Sequence, residues 1–345
     1  MEQARQPSTA ATGAVPRPQG PLLAVRDLSV AFHDGADWVS VLTDVSFDVM
    51  PGETLGVVGE SGCGKSLTAL SILGLLPRRG CRRTGQILFE GGDLVRFGDS
   101  QMRQIRGRRI GMIFQEPMSA LDPVFTVGHQ ITETVQAHFP VSGKEANERA
   151  VDALAAVGIP SPRNCATMYP MSLSGGMRQR VMIAMALVCE PRLLIADEPT
   201  TALDVTIQAQ IVDLLQELGQ RTGTALLFIT HNLGVVAESC SRMLTMYAGQ
   251  VVEDGPVDEI LSRPLHPYTA GLLGSLPRQF HRRQKLPSIP GRVPSPREMP
   301  AGCRFAPRCG YAETGCREPQ PLLTRGQRHM RCWRSDALTL PGATS

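Results

Sequence analysis

Residues 59–66 read Gly-Glu-Ser-Gly-Cys-Gly-Lys-Ser, a complete G-x-x-x-x-G-K-S phosphate-binding loop. An apolar run at 54–58 precedes it and a helix-forming run at 67–75 follows it, so the loop should join a buried strand to a helix. The glycines permit backbone conformations in which consecutive N–H groups point at phosphate oxygens, and the helix start adds its positive dipole end. This order predicts an α/β nucleotide-binding core. A glycine-rich turn that matches by chance is the less favoured alternative.

The same motif predicts what its side chains do. Lys65 should reach the β- and γ-phosphates, and the Ser66 hydroxyl should ligate Mg²⁺. The nucleotide-binding residues predicted in and beside the loop are Gly59, Glu60, Ser61, Gly62, Cys63, Gly64, Lys65, Ser66 and Leu67.

The whole chain has 345 residues, long enough for two domains, and a net charge of +3, which gives no case for a nucleic-acid partner. Residues 1–21 are rich in alanine, proline and glutamine and lack the apolar centre of a signal peptide, which predicts a disordered tail. No apolar run approaches the roughly 18 residues of a membrane-spanning helix. We therefore expect a cytoplasmic protein that could dock on a membrane protein.

Apolar periodicity separates three kinds of segment. Residues 22–50 alternate apolar and polar side chains, which is typical of antiparallel strands with one solvated face. Residues 118–170 have helical spacing broken by prolines, which predicts a helical insertion. The runs 193–196 and 225–229 are short and wholly apolar, as expected of central parallel strands.

Residues 85–89 and 110–114 predict two more strands, and the predicted fold is α/β, with a P-loop NTPase (RecA-like) core, an antiparallel β subdomain and a helical subdomain. Beyond residue 262 proline and arginine increase and periodicity fades, which predicts a Cys-rich C-terminal extension of low regular structure. The predicted divisions are a tail at 1–21, a nucleotide-binding domain at 22–261 with its helical subdomain at about 116–173, a C-terminal region at 262–335 and a second tail at 336–345.

An acidic pair, Asp197-Glu198, follows the apolar run 193–196. Asp197, at the strand end, is predicted to hold Mg²⁺ directly or through water. Glu198 is predicted to orient and polarise the water that attacks the γ-phosphate. A solvated acidic turn is the alternative, and the phosphate loop in the same chain favours the catalytic interpretation.

Ser174-Gly175-Gly176 directly precedes a predicted helix at 177–189, which indicates a second anion-binding helix start. A γ-phosphate held by the first loop has few free oxygens left. We therefore expect this segment to bind the nucleotide of a second subunit. A glycine turn that only caps the helix is the alternative.

Together these motifs resemble the ATP-binding-cassette (ABC) ATPases over residues 22–260. The resemblance implies that Gln115 contacts Mg²⁺ and the attacking water, and that His231 contacts the γ-phosphate. Thr201-Ala-Leu-Asp204 resembles the loop that communicates across the dimer of cassettes. Phe32 lies where the family places an aromatic ring that stacks on adenine, and Trp38 is the alternative.

The resemblance also implies a composite site between two cassettes that face each other head to tail. ATP would lie between the phosphate loop of one subunit and Ser174, Gly175, Gly176 and Gln179 of the other. Closure around ATP and reopening after hydrolysis would drive a transporter between inward and outward states. The implied catalytic residues are Glu198, His231 and Gln115, and the implied Mg²⁺ ligands are Ser66, Gln115 and Asp197.

Segments 263–269 and 289–294 resemble the C-terminal region of the oligopeptide/dipeptide branch of bacterial importers, which also includes nickel, glutathione and glycan systems. The resemblance implies an ATPase subunit on the cytoplasmic face of the inner membrane, beneath two permease subunits. A second ATPase subunit, identical or different, and an extracytoplasmic substrate-binding protein would complete the system. Selection of the transported solute is expected to lie in the other subunits.

Four of the nine cysteines, Cys303, Cys309, Cys316 and Cys332, have the spacing C-x₅-C-x₆-C-x₁₅-C. Four thiolates can ligate a metal tetrahedrally, and the spacing does not separate iron from zinc. Some relatives in this branch carry a [4Fe–4S] cluster on these positions, so the resemblance implies a structural cluster here, with Zn²⁺ as the alternative and reduced thiols or disulfides as the third.

The competing hypothesis from another functional class is a soluble cassette ATPase of DNA repair or translation. Such proteins usually carry two fused cassettes, long coiled coils or a nucleic-acid-binding insert, whereas this chain has one phosphate loop and no heptads. A P-loop kinase would lack both Ser174-Gly-Gly and the Glu198 carboxylate. The basic stretch 281–285 is interpreted as a solvated loop, with contact to lipid or the permease as the alternative.

Overall fold

The computed structural model describes residues 20–116, 120–200, 204–275 and 288–343. Most of the predicted N-terminal tail, residues 201–203 of the predicted dimer loop and the basic stretch 281–285 lie outside the described residues. In the described part of the chain, no helix combines the length and the apolar content needed to cross a membrane.

The described residues form strands and helices in alternation. The strands are β1 (Leu23–Asp34), β2 (Asp37–Val49), β3 (Thr54–Val58), β4 (Cys81–Phe89), β5 (Gly92–Asp93), β6 (Ile110–Ile113), β7 (Leu193–Asp197), β8 (Ala225–Ile229), β9 (Arg242–Tyr247), β10 (Gln250–Pro256), β11 (Leu323–Arg325) and β12 (Arg328–Met330). The α-helices are α1 (Lys65–Ile72), α2 (Asp99–Ile105), α3 (Val127–His138), α4 (Gly143–Ala156), α5 (Pro162–Ala166), α6 (Gly175–Leu187), α7 (Val205–Thr222), α8 (Leu233–Ser239), α9 (Val257–Ser262) and α10 (Pro267–Gly274).

The larger sheet has eight strands in the order β11-β12-β10-β9-β3-β8-β7-β6. Strand β3 is parallel to β8 and β9, and β7 is parallel to β6 and β8. Every residue of β7 and β8 is buried, which explains their unbroken apolar sequences. Because the carboxyl ends of parallel strands meet at one edge of a sheet, the phosphate loop, Glu198 and His231 all follow strands that end at the same edge.

The smaller sheet is antiparallel, with the strand order β2-β1-β4-β5. Its first two strands are each longer than the short runs predicted in residues 22–50. Register shifts within β1, the first between Val25 and Leu28, interrupt the alternation without ending the strand, and Asp27 there has a φ of 49°. A bulge, and not a turn, therefore explains the break in the pattern. Apolar side chains such as Leu42 of β2 share one core with Leu55 of β3.

Helices α3 to α5 lie within residues 118–170, where the spacing predicts a helical insertion, and α6 follows them at the place of the helix predicted at 177–189. The hydroxyls of Thr126 and Ser142 accept backbone N–H groups in the first turns of α3 and α4, at 3.4 and 3.2 Å. Apolar residues of these helices, among them Ile131 and Leu154, share a core with β7, β8 and α7. The helical part thereby packs directly on the strands that carry the acidic pair.

The C-terminal region is attached to the main sheet. Residues 288–322 contain only short 3₁₀ turns, but β11 and β12 form a hairpin that pairs antiparallel with β10. Arg328 of β12 donates to the fully buried Glu253 of β10 at 2.5 Å, and the N–H groups of Leu265 and His266 reach the same carboxylate at 2.7 and 3.0 Å. The expectation of low regular structure misses this hairpin, because strands of three residues have no periodicity to read.

Candidate functional site

The phosphate loop connects β3 to α1 and is confined by two neighbouring strands. Gly59 has a φ of 152°, and a β-carbon there would overlap the carbonyl oxygen of Met246 on β9. Gly64, immediately before α1, has a φ of 104°, and a β-carbon there would overlap the side chain of Leu42. Glycine alone satisfies both the dihedral angle and the space at these two positions.

Lys65 is buried inside the curve of the loop. Its ammonium donates to the carbonyl oxygens of Gly59 and Glu60 at 2.8 and 3.2 Å and lies 3.8 Å from the sulfur of Cys63. Burial raises the pKa of the Cys63 thiol, which favours the neutral thiol beside the lysine. The positive charge of Lys65 is therefore left for an anionic ligand.

Ser66 and Asp197 meet at the foot of α1. The Ser66 hydroxyl donates to the Asp197 carboxylate at 3.0 Å, and Asp197, the last residue of β7, is only 5% exposed. Burial raises the pKa of this carboxyl, and the hydrogen bond from Ser66 counteracts the shift. A hydroxyl and a carboxylate in contact are oxygen ligands of the kind that Mg²⁺ prefers, so the donor set fits that cation.

Two of the predicted catalytic side chains converge on a carboxylate oxygen of the third, Glu198. The amide nitrogen of Gln115 and the Nδ1 atom of His231 each lie 3.3 Å from the same oxygen of Glu198. Gln115 lies just beyond β6, Glu198 follows β7 and His231 follows β8, so three adjacent strands deliver them. The His231 side chain is 65% exposed, which leaves its other face open to a ligand.

The backbone of Glu198 is held in an unusual conformation. Its φ is 47°, in the left-handed region, which costs a non-glycine residue about 1 kcal/mol or more. The Glu198 N–H donates to the carbonyl oxygen of Ile229 at 2.9 Å, so the end of β8 fixes the turn. This fixed turn aims the Glu198 side chain at Gln115 and His231.

The segment Ser174-Gly175-Gly176 begins helix α6. The Ser174 hydroxyl accepts the N–H of Met177 at 3.3 Å, as in an ordinary helix cap. Gln179 is 2% exposed, and its amide nitrogen has no hydrogen-bond partner among the described residues. Arg178 donates to the carbonyl oxygens of Pro170 and Met171 at 2.9 and 3.3 Å and so fixes the approach to the helix.

The remaining predicted nucleotide contacts differ in exposure. Phe32 of β1 packs against the main core, whereas Trp38 of β2 is 42% exposed and has the Arg82 guanidinium 4.3 Å above its ring. Trp38 is therefore the more available of the two aromatic candidates. Asp204 is exposed and precedes α7, where its carbonyl oxygen accepts the N–H of Gln208 at 2.9 Å.

Two residues of the C-terminal region contact the phosphate loop, and sequence reasoning missed both. The hydroxyl of Tyr268 accepts the N–H of Glu60 at 2.8 Å, and the guanidinium of Arg308 forms an ion pair with the Glu60 carboxylate. The sequence signal available was His-Pro-Tyr at 266–268, where a proline in the first turn indicates a helix start and the tyrosine is buried. Nothing in the sequence pairs either residue with position 60.

The four C-terminal cysteines line one narrow cavity. Cys303 donates its N–H to the carbonyl oxygen of Cys316 at 2.8 Å, and the Trp333 indole points at the Cys316 sulfur at 3.4 Å. Burial, with the other three cysteines nearby, raises the pKa of Cys332 to about 11. All nine cysteines are free thiols, and within the described residues no group of three or more His, Cys, Asp or Glu side chains has a metal-binding arrangement. The four cysteines of the predicted [4Fe–4S] or Zn²⁺ site thus line one cavity, but within the described residues they do not form a preformed metal site.

Two families match the sequence. Residues 42–201 match the ABC transporter family, and residues 252–316 match the oligopeptide/dipeptide transporter C-terminal region. A peptide ABC transporter ATP-binding protein of Sinorhizobium fredii is 54% identical over 319 residues, covering 91% of this chain and 95% of its own length. A peptide import ATP-binding protein of Brucella abortus is 49% identical over 313 residues, covering 90% and 94%.

Solved structures share the cassette fold. One is a dimeric ATP-binding cassette in a post-hydrolysis state bound to ADP and phosphate, with a TM-score of 0.62, 26% identity, and coverage of 68% of this chain and 98% of that one. Another is cbiO1 from Clostridium perfringens, part of an ABC transporter complex, with a TM-score of 0.60, 27% identity, and coverage of 70% and 90%.

Proposed function

Because the chain belongs to the ATP-binding subunits of ABC transporters, in the branch with the oligopeptide/dipeptide C-terminal region, we propose that it hydrolyses ATP to power the import of dipeptides or oligopeptides. The ATPase class follows from the family itself. The peptide substrate rests on the names of the two relatives, both peptide transporter subunits, which align over nine-tenths of this chain.

The observation that carries the catalytic proposal is the convergence of Gln115 and His231 on Glu198. A carboxylate held from two sides can orient one water and accept its proton as that water attacks the γ-phosphate. Lys65 would neutralise the β- and γ-phosphates once its contacts with the loop carbonyls are exchanged for phosphate oxygens. Ser66 and Asp197 would hold Mg²⁺, which supplies charge neutralisation at the phosphates.

Hydrolysis also requires a second binding surface on the other side of the nucleotide, and we assign this surface to another cassette. The support is that Ser174 and Gly175, at the start of the helix, are exposed, and that a cassette similar in fold has been solved as a nucleotide-bound dimer. Gln179, in the same helix, is buried with its amide nitrogen unpartnered among the described residues, and we include it in this second binding surface. Trp38 would stack on adenine in preference to Phe32.

Glu198→Gln tests the catalytic proposal. The variant should bind ATP as the wild type does, lose at least about 100-fold in steady-state hydrolysis and accumulate a closed dimer, because a neutral amide cannot accept the proton. Glu190→Gln is the matched control, since Glu190 also has a left-handed backbone (φ 50°) but lies on an exposed turn. Undiminished hydrolysis by purified Glu198→Gln homodimers would refute the role of Glu198.

Recovery from the membrane tests the transport proposal. We expect the chain to co-purify with two permease subunits at the inner membrane face, and transport to require a separate substrate-binding protein. Dipeptides, nickel, glutathione and glycans would then be compared as competitors of solute uptake by the complex. The competitor that inhibits uptake would identify the solute class. Recovery with ribosomes or DNA would instead favour the soluble, non-transport class of cassette ATPase.

We also propose a structural metal or [4Fe–4S] cluster at Cys303, Cys309, Cys316 and Cys332. The support is that thiol donors from all four positions line one cavity and that N–H groups point at the Cys316 sulfur. Elemental analysis of anaerobically purified protein tests this proposal. Iron or zinc should be lost in Cys316→Ser and kept in Cys81→Ser, which alters a cysteine outside the cavity. Metal-free wild-type protein of full stability would refute it.

A further inference from the structure

A buried arginine of the C-terminal region, Arg308, forms an ion pair with the second residue of the phosphate loop, Glu60. The two terminal nitrogens of Arg308 donate to the two carboxylate oxygens of Glu60 at 2.6 and 3.0 Å, a bidentate pair. The Arg308 side chain is 5% exposed and that of Glu60 is 31% exposed. The pair therefore sits at the boundary between the C-terminal interior and the open nucleotide site.

Arg308 has little freedom to move. Its Nε atom donates to the carbonyl oxygen of Pro290 at 2.8 Å, and a terminal nitrogen lies 3.4 Å from the hydroxyl of Tyr247. The guanidinium also lies 5.7 Å from the centre of the Tyr247 ring. These contacts hold the forked guanidinium of Arg308 independently of Glu60. The C-terminal region therefore sets the position of the Glu60 side chain.

A second contact fixes the main chain of the same residue. The Glu60 N–H, at the start of the loop, donates to the hydroxyl of Tyr268, whose ring is fully buried between Tyr247 and Phe305. That N–H is consequently committed to the protein and not to a phosphate. Both the backbone and the side chain of Glu60 are held from outside the cassette.

The C-terminal region also supports the Cys63 side of the loop, but only indirectly. Arg304 donates to the carbonyl oxygen of Ala248 and to the hydroxyl of Thr43, the latter at 2.7 Å. The neighbouring Gly249 N–H donates to the carbonyl oxygen of Cys63 at 2.9 Å. One short segment, residues 303–309, therefore contacts the loop directly at Glu60 and is linked to Cys63 through Ala248 and Gly249.

Charge explains why Arg308 matters for ATP. A phosphate loop binds a polyanion, and a carboxylate at its second position repels that ligand unless a cation cancels it. Lys65 would be engaged by the phosphates of bound ATP, and the bidentate Arg308 is the cation that contacts the Glu60 carboxylate in the described residues. Removing Arg308 would leave an unpaired negative charge beside the triphosphate and free the Glu60 side chain to move.

We propose that Arg308 is a positioning residue for ATP, which neutralises Glu60 and fixes the start of the phosphate loop, so that the C-terminal region forms part of the nucleotide site. The proposal rests on the ATPase function proposed above. It adds that nucleotide affinity depends on a residue outside the cassette.

The test is MgATP affinity of the full-length chain, measured by equilibrium binding, alongside steady-state hydrolysis. Arg308→Gln should weaken MgATP binding at least about tenfold, with a smaller change in kcat than in KM. Glu60→Gln should lose less MgATP affinity than Arg308→Gln, because it removes the repulsive charge together with the pair. Glu60→Gln/Arg308→Gln should recover most of the affinity lost in Arg308→Gln, a non-additive result that a purely structural role would not give.

Arg325→Gln is the matched control, because Arg325 forms another bidentate pair in the C-terminal region, with Asp336, on the exposed surface. It should leave MgATP affinity unchanged. If Arg308→Gln does not fold, Arg308→Lys tests the positioning of Glu60 by itself: it keeps a charge but loses the fork, so MgATP affinity should still fall by more than about twofold. Affinity of the arginine variant within twofold of the wild type, or an additive loss in the double variant, would overturn the proposal. A wild-type chain that fails to bind MgATP would instead refute the proposed function.

Discussion

His266 should make the stability of this protein sensitive to mild acid. The imidazole is 1% exposed at the start of α10, where its Nδ1 atom accepts the N–H of Tyr268 at 3.1 Å. Burial, reinforced by the positive charge of Arg331, lowers the pKa of His266 from 6.5 to about 3. The folded protein therefore keeps His266 neutral at pH values where the unfolded chain takes up a proton.

The sign and size of the effect follow from this difference. Above pH 6.5 neither state is protonated at His266, and the group has no effect on the free energy of unfolding. Below that pH the unfolded state gains a proton that the folded state cannot bind until about pH 3, so stability falls as pH decreases through this window. At pH 5 the loss amounts to about 2 kcal/mol from this residue.

His266→Asn isolates the contribution, because an asparagine oxygen can still cap α10 while carrying no titratable group. Guanidinium unfolding followed by circular dichroism, at pH 7.5 and pH 5, should show a decrease in stability about 2 kcal/mol larger for the wild type than for His266→Asn. Other titrating groups affect both proteins equally and cancel in the comparison. An equal decrease in the two proteins would show that His266 does not titrate as its burial requires.

Two further perturbations test the fold around the nucleotide site. Arg328→Met should reduce the free energy of unfolding by about 3–5 kcal/mol, measured by guanidinium unfolding, because it leaves the buried Glu253 charge without its ion-pair partner. Arg325→Met, at an exposed pair, should change stability little, and equal losses in the two variants would contradict the argument. Gly59→Ala should lower MgATP affinity at least about tenfold by equilibrium binding, since the added methyl group would overlap the Met246 carbonyl. An alanine variant with wild-type affinity would show that the loop can take another path.

The catalytic edge was the most predictable part of the molecule. The phosphate loop and the strands before Glu198 and His231 carry long local patterns, and parallel strands necessarily bring their carboxyl ends together. The observed strands Thr54–Val58 and Ala225–Ile229 agree residue for residue with the predicted runs. Where buried strands and glycine turns determine the structure, the local sequence contains most of the information needed to predict the fold.

The contacts of the C-terminal region were not predictable in this way. Arg308 and Glu60 are 248 residues apart, and an arginine in a proline-rich segment has the same local sequence whether it is solvated or buried. The hairpin of β11 and β12 is too short to show alternation, and its position depends on Glu253. Pairings of this kind are set by the packed structure as a whole, and single-sequence patterns do not record them.

The hairpin that extends the main sheet limits how such subunits can be recombined. A chimera joined at residue 261 would leave β10 to pair with a hairpin from another parent, and Glu253 without a counter-charge from its own lineage. Such a chimera would also match one parent's loop with another parent's arginine at position 308. The unit that can be exchanged between related transporters is therefore the cassette together with its C-terminal region, and the two are expected to change together over evolution.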